Sequence, residues 1–191
     1  MVFVQAVLGD ELVAELGLAA PTALAGPAPA VYPVIDRVAA KISTLDTPPD
    51  VMAVFPLPEK QPLGALRGPS TSPKGAALRR QAGGELPASD PLVVYIDGVQ
   101  DPGNVGTLLR AALAFDAAAV VTGPGSADLY GPKTVRASMG ALFGLQLAAD
   151  VPLGELVHAL DEPDVFGLAA HDGAPLRGAK LRRTAVLVVG A

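Results

Sequence analysis

Residues 97–110 read DGVQDPGNVGTLLR, from Asp97 to Arg110, and this stretch decides the fold. It follows Leu92 to Ile96 (LVVYI), a near-continuous apolar run typical of a parallel strand buried on both faces. Asp101-Pro102-Gly103-Asn104 is a turn, shaped by Pro102 and Gly103. Asn104 is suited to N-cap a helix, since its side-chain oxygen can accept an orphan backbone N–H. The helix then runs from about Val105 to Phe115. Gly106 allows another chain or a ligand to approach its first turn. Arg110 interrupts an otherwise apolar pattern of Val105, Leu108, Leu109, Ala112 and Phe115. It lies about 1.7 turns beyond Asn104 and need not share its face. Two readings of Arg110 stand at this point. It snorkels or pairs at a core border, or its guanidinium fork grips a phosphate.

The same alternation continues toward the C-terminus. Ala118 to Val121 reads as a strand, and Gly123-Pro124-Gly125-Ser126 as a plain turn. A helix over Lys133 to Leu142 follows, then a strand over Leu145 to Ala148 and a helix over Leu153 to Leu160. Val165 to Ala169 and Ala185 to Val189 are the last strands. An α/β fold is expected, with an open, mostly parallel sheet and helices on both faces. Ligands bind such sheets beyond the C-terminal ends of the strands.

Toward the N-terminus the pattern breaks. Residues 63–90 are rich in Gly, Pro, Ser and Ala, with few apolar residues spaced for burial. They read as a linker or flexible loop, and their length favours a domain boundary. Residues 1–62 read as a small α/β unit. In it, Asp10 to Leu16 is a helix with Gly17 as C-cap, Val31 to Ile35 a strand, Arg37 to Ile42 a helix and Val51 to Phe55 a strand. Residues 91–191 form the second domain.

Composition narrows the function classes. The chain has 191 residues, 50% of them hydrophobic and only 4% aromatic, so the core must be aliphatic. It contains no cysteine, which excludes disulfides, a cysteine nucleophile and cysteine-ligated metals. Two histidines, His158 and His171, are too few for a typical zinc site, so no metal is expected. No apolar run is long enough for a membrane span, and no basic leader precedes the apolar start. A cytoplasmic protein is the expectation. The formal net charge of −5 argues against nucleic acid, but an average can hide a local basic surface. Arg177, Lys180, Arg182 and Arg183 form one basic group, and Arg67, Lys74, Arg79 and Arg80 another. Either group is a solvated loop or a phosphate-binding surface. No phosphate-binding GxxxxGK[ST] or GxGxxG loop is present, and no elbow motif supports Ser138 as a hydrolase nucleophile.

The stretch that opened this reading resembles the first motif of the SpoU (TrmH-type) family of RNA 2′-O-ribose methyltransferases. That motif is DPxNxGxxxR after a strand, matched by Asp101, Pro102, Asn104, Gly106 and Arg110. Residues 131–142, GPKTVRASMGAL, resemble the family's P-K-x-x-R-x-S-x-G-A run. Residues 43–54 are similar to the end of the ribosomal-protein-like RNA-binding domain that many members carry, though the basic opening usual there is missing.

The resemblance implies a SPOUT-type domain with S-adenosyl-L-methionine as cofactor, held in a C-terminal trefoil knot. It implies that Arg110 helps activate the ribose 2′-hydroxyl and that Asn104 keeps the active-site loop in shape. Lys133, Arg136 and Ser138 would line the site or the RNA path. Gly190 matches the glycine opening the second motif, and Ala169 and Ala170 would offer backbone contacts to the adenosyl group. The glutamate of the second motif and the whole S-L-N motif do not occur by Ala191, which leads us to expect a chain truncated before the knot is complete. The family implies an RNA partner, rRNA ahead of tRNA, and a homodimer when full length. Two other readings are a non-catalytic RNA-binding remnant of the family and an unrelated α/β small-ligand binder.

Overall fold

The structure is a computed structural model and describes residues 2–6, 36–49, 51–55, 57–58, 62–67, 91–169, 171, 173 and 184–190. The chain divides into two compact units, Met1–Leu57 and Pro58–Ala191. Several expectations lie outside the described residues: the helix over Asp10 to Leu16 with its Gly17 cap, the strand over Val31 to Ile35, Ala170, the basic group from Arg177 to Arg183, and Lys74, Arg79 and Arg80.

In the first unit, β1 (Val2–Ala6) pairs antiparallel with β2 (Val51–Phe55), Val2 opposite Phe55 and Ala6 opposite Val51. Helix α1 (Asp36–Ile42) carries an acid in its first turn and a base in its last, which suits the helix dipole. The expected helix and the expected strand at Val51 are both present. Strand β1 is the addition, formed by an apolar opening for which no element was expected.

The second unit is built on a five-stranded, all-parallel sheet. Its strands are β3 (Leu92–Asp97), β4 (Ala119–Thr122), β5 (Gln146–Ala148), β6 (Asp164–Gly167) and β7 (Ala185–Gly190), in the order β5-β4-β3-β7-β6. Helices α2 (Pro102–Ala114), α3 (Pro132–Ala137) and α4 (Leu153–Ala159) join them. The chain winds outward from β3 through β4 to β5, then returns to the opposite edge at β6. Strand β7 fills the place beside β3. The direction of winding reverses there, which makes the C-terminal ends of β3 and β7 the switch point where open α/β sheets take their ligands.

Alternation along β3 sorts the core into two layers. Val94 and Ile96 pack with Val105, Leu109 and Ala112 of α2 and with Leu142. Val93 and Tyr95 point the other way, to Leu156 of α4, Leu160 and Leu66. Leu66 corrects the reading of residues 63–90 as linker throughout. Leu63–Arg67 is a 3₁₀ turn, and Leu66 is fully buried against the sheet. Leu63 and Leu66 are three apart, the spacing that shares one face of such a turn.

The helix expected over Lys133 to Leu142 is interrupted. Helix α3 stops at Ala137, Met139 and Gly140 take left-handed φ values of 48° and 86°, and a 3₁₀ turn follows at Ala141–Gly144. Gly140 was the available signal, since glycine adopts that conformation without a Cβ clash.

Candidate active site and RNA-facing surface

The central strand ends at Asp97, and Gly98 turns the chain with φ 63°. Helix α2 then begins three residues earlier than expected, and its N-cap is Asp101 rather than Asn104. The Asn104 backbone N–H donates to Asp101 Oδ2 at 3.1 Å, and Pro102 holds the first helical position. The reason is local. A carboxylate followed by proline is a stronger helix start than an asparagine two residues further on, because proline's fixed φ suits the first turn. Asn104 therefore sits inside the first turn with its side chain exposed.

Asp101 has a second partner. Its Oδ1 lies 3.5 Å from Nζ of Lys133, the second residue of α3. The backbone N–H of Asn104, that of Gly103 and the Lys133 ammonium together hold the Asp101 carboxyl below the usual carboxylate range, against a smaller opposing effect of desolvation. The two helices that carry the quoted motifs are thus tied at their N-terminal ends.

They are also tied along their flanks. A Cβ on Gly106 would collide with the Ala137 side chain and would lie 2.7 Å from the Ala137 carbonyl carbon and 2.9 Å from the Ser138 nitrogen. The close approach that Gly106 permits is by α3 of the same chain, not by a ligand. Ser138 is completely buried at this contact, and its hydroxyl donates to the Val135 carbonyl at 2.7 Å. This placement does not support Ser138 as part of an RNA path. It is a packing residue, small enough to let the helices meet. Thr134, one turn earlier, is also buried, and its hydroxyl has no hydrogen-bond partner among the described residues.

The cations fall on the outside of this helix pair. Arg110, Lys133 and Arg136 are all exposed. Arg110 lies one turn beyond Gly106, on the flank of α2 that meets α3. Its side chain makes no ion pair or hydrogen bond among the described residues. Pairing with a carboxylate is thus not seen among the described residues, while an exposed guanidinium suits both a snorkelling side chain and a phosphate grip. His158, on α4, and His171 are both exposed.

The residues assigned to the cofactor lie at the sheet edge. Gly190 ends β7 in register with Asp97 of β3, and Ala169 follows β6 beside it. Both are exposed. A Cβ on Gly190 would come within 2.6 Å of the Asp97 carbonyl oxygen, so only glycine lets β7 finish this close to β3. At Gly190 and Ala169 the edge carries little or no side chain, while Leu168 between β6 and Ala169 is an exposed apolar group. Arg110 is set back from it. From Asn104 the axis of α2 carries Arg110 about 9 Å further from the strand ends. The fold brings together Asp101, Lys133, Gly106 and Ser138, and separately Gly190 with Asp97.

Some supports had no signal in the sequence. The Tyr95 hydroxyl donates to the Val151 carbonyl at 2.9 Å, and burial and then Asp97 push its pKa up. A side chain on Gly123 would strike the Tyr95 ring and hydroxyl. Ser126, in the expected turn, donates to the Ile96 carbonyl at 3.0 Å and braces the end of β3. Each contact joins residues far apart in the chain.

A five-stranded parallel sheet with its winding reversed between β3 and β7, flanked by a glycine-locked helix pair bearing cations, defines an open α/β domain. The profile of the SpoU rRNA Methylase family matches residues 91–191, and the chain belongs to that family. This removes the reading as an unrelated α/β ligand binder. The chain is 36% identical over 99 residues to the 23S rRNA (guanosine(2553)-2'-O)-methyltransferase RlmP of Bacillus subtilis, covering 51% of this chain and 40% of that protein. It is 33% identical over 128 residues to the mitochondrial rRNA methyltransferase 3A of Danio rerio, covering 62% of this chain and 26% of that protein. The chain thus spans less than half the length of these curated relatives. Among solved structures, a TrmH-family protein from Porphyromonas gingivalis aligns with TM-score 0.65 at 32% identity, over 100% of this chain and 72% of that one. The AdoMet-bound rRNA methyltransferase of Sinorhizobium meliloti aligns with TM-score 0.65 at 20% identity, over 98% and 69%, and shares the fold.

Proposed function

We propose that this chain is the RNA-facing and cofactor-facing part of an S-adenosyl-L-methionine-dependent RNA 2′-O-ribose methyltransferase, acting on rRNA ahead of tRNA. The observation that carries the reading is the match of the SpoU family profile over residues 91–191, with Arg110 exposed on the helix pair built from the two motifs. The names of the Bacillus subtilis and Danio rerio relatives favour rRNA.

The sheet edge fits the cofactor. Gly190 and Ala169 offer backbone beyond β7 and β6, with the exposed Leu168 beside them as an apolar surface, where an open α/β sheet takes its ligand. When bound there, S-adenosyl-L-methionine supplies an electrophilic methyl group. The remaining work belongs to the protein and the RNA. A ribose hydroxyl is a weak nucleophile and must lose its proton as it reacts. Arg110, set back from the sheet edge, offers a permanently charged fork that holds an RNA phosphate and so positions the reacting ribose. Lys133 and Arg136 bind the flanking backbone. Asn104 lies in the first turn of α2, close to the strand ends, where its amide can orient the ribose. We propose further that the working form is a homodimer and that it acts in the cytoplasm. Sedimentation and cell fractionation test those two points.

The test is calorimetric titration of S-adenosyl-L-methionine, followed by methyl transfer from radiolabelled cofactor to rRNA. Arg110→Ala should cut transfer on the order of 10²-fold or more while leaving cofactor affinity unchanged. RNA binding without cofactor binding would instead establish the non-catalytic remnant. Equal transfer by Arg110→Ala would remove Arg110 from the chemistry.

A further inference from the structure

Exposed residues flank the break between α3 and the 3₁₀ turn on both sides. Thr134, Ser138, Ala141 and Leu142 face inward and are buried. Lys133, Arg136, Met139 and Phe143 face outward, at spacings of three, three and four residues. Met139 is 77% exposed and Phe143 62% exposed, in a chain with only five Phe and no Trp. The segment is held rigidly from below. Leu142 is locked in the cluster with Leu109 and Ala112, and Ser138 against Gly106.

Met139 adds a cost. It occupies the left-handed position that follows the C-cap of α3, with φ 48°, a place usually given to glycine. A strained backbone that displays a large apolar side chain to solvent calls for a ligand that uses it. Two exposed cations followed in sequence by two exposed large apolar groups have the chemistry that suits a single nucleic-acid strand. Phosphate oxygens meet Lys133 and Arg136, and an unstacked base lies on the next turn. Aromatic faces take bases of any sequence in this way, while cations track the backbone.

We propose that Met139 and Phe143 form a base-stacking platform for a single-stranded nucleotide of the RNA substrate. It adjoins the cations of α3 and is distinct from the sheet edge. This rests on the reading of the protein as RNA-binding, and it adds where an unpaired base goes.

The chain's lack of tryptophan makes the test direct. Phe143→Trp introduces a single indole, to be titrated with a mixed-sequence single-stranded oligoribonucleotide and with an abasic strand of equal length. The base-bearing strand should quench the indole and the abasic strand should not. Phe143→Leu should weaken binding of the base-bearing strand about tenfold, with the slope of log affinity against log salt unchanged. Phe143→Tyr should restore it. Lys133→Ala should do the reverse, lowering the salt slope by roughly 0.7. Equal affinity for Phe143→Leu and the parent would overturn the platform and leave RNA binding standing. No RNA binding by the parent chain at low salt would overturn both. If Phe143→Leu dissociates a dimer in sedimentation and leaves RNA affinity alone, these residues form an interface between copies and the proposal fails.

Discussion

At Gly106 one hydrogen atom separates two helix backbones. Gly106→Ala would place a methyl group where Ala137 already sits, and neither backbone has room to give. We expect a loss of about 1–3 kcal/mol in urea unfolding, the usual cost of overpacking a tight contact. A parent-like midpoint would mean that α3 can slide. Asp101 makes a prediction of a different kind. Its carboxyl is held below its ordinary value of 3.8, so in the folded state it binds its proton less readily than when unfolded. The stability it contributes is therefore present above about pH 4 and is lost as pH falls through the folded value. Asp101→Asn keeps a capping oxygen and removes the titration. Its melting temperature should fall less steeply than the parent's between pH 5 and pH 2, to about that modest extent an exposed group allows.

Helix α3 is only six residues long, and isolated helices of that length do not persist in water. Its order comes from what it buries against α2. Thr134 is the weak point of that contact, because its hydroxyl is buried without a hydrogen-bond partner among the described residues. Thr134→Val keeps the shape and removes the polar atom. We expect a gain of about 1 kcal/mol, read as a raised melting temperature. A loss would show that the hydroxyl is bonded in solution, most simply through a water.

Across the second unit, the layer beneath α4 depends on a residue far away in sequence. Leu66 is 1% exposed and packs with Leu156 and Leu160. Leu66→Ala should cost about 2–4 kcal/mol in chemical denaturation. A near-neutral result would mean that the 3₁₀ turn frays from the sheet in solution. The net charge of −5 belongs to the whole chain, whereas Arg110, Lys133 and Arg136 share one helix pair. A phosphate responds to that local arrangement more than to the sum.

Much of this protein was legible in its sequence. The continuous apolar run at Leu92 marked a strand buried on both faces, and the alternation that follows it marked the parallel sheet. Periodicity reports burial, and burial of strands and helices is what the sheet requires. The two motifs located the helix pair and its cations. What tertiary structure decided lies in contacts between residues distant in the chain. The order β5-β4-β3-β7-β6 puts Gly190 beside Asp97. The docking of α3 on α2 turns Gly106 and Ser138 into packing residues. The competition between Asp101 and Asn104 for the cap was settled by backbone geometry around Pro102. A local pattern shows that a residue is small, polar or charged. Whether its neighbour in space is a helix, a strand end or solvent is set only when the chain closes on itself.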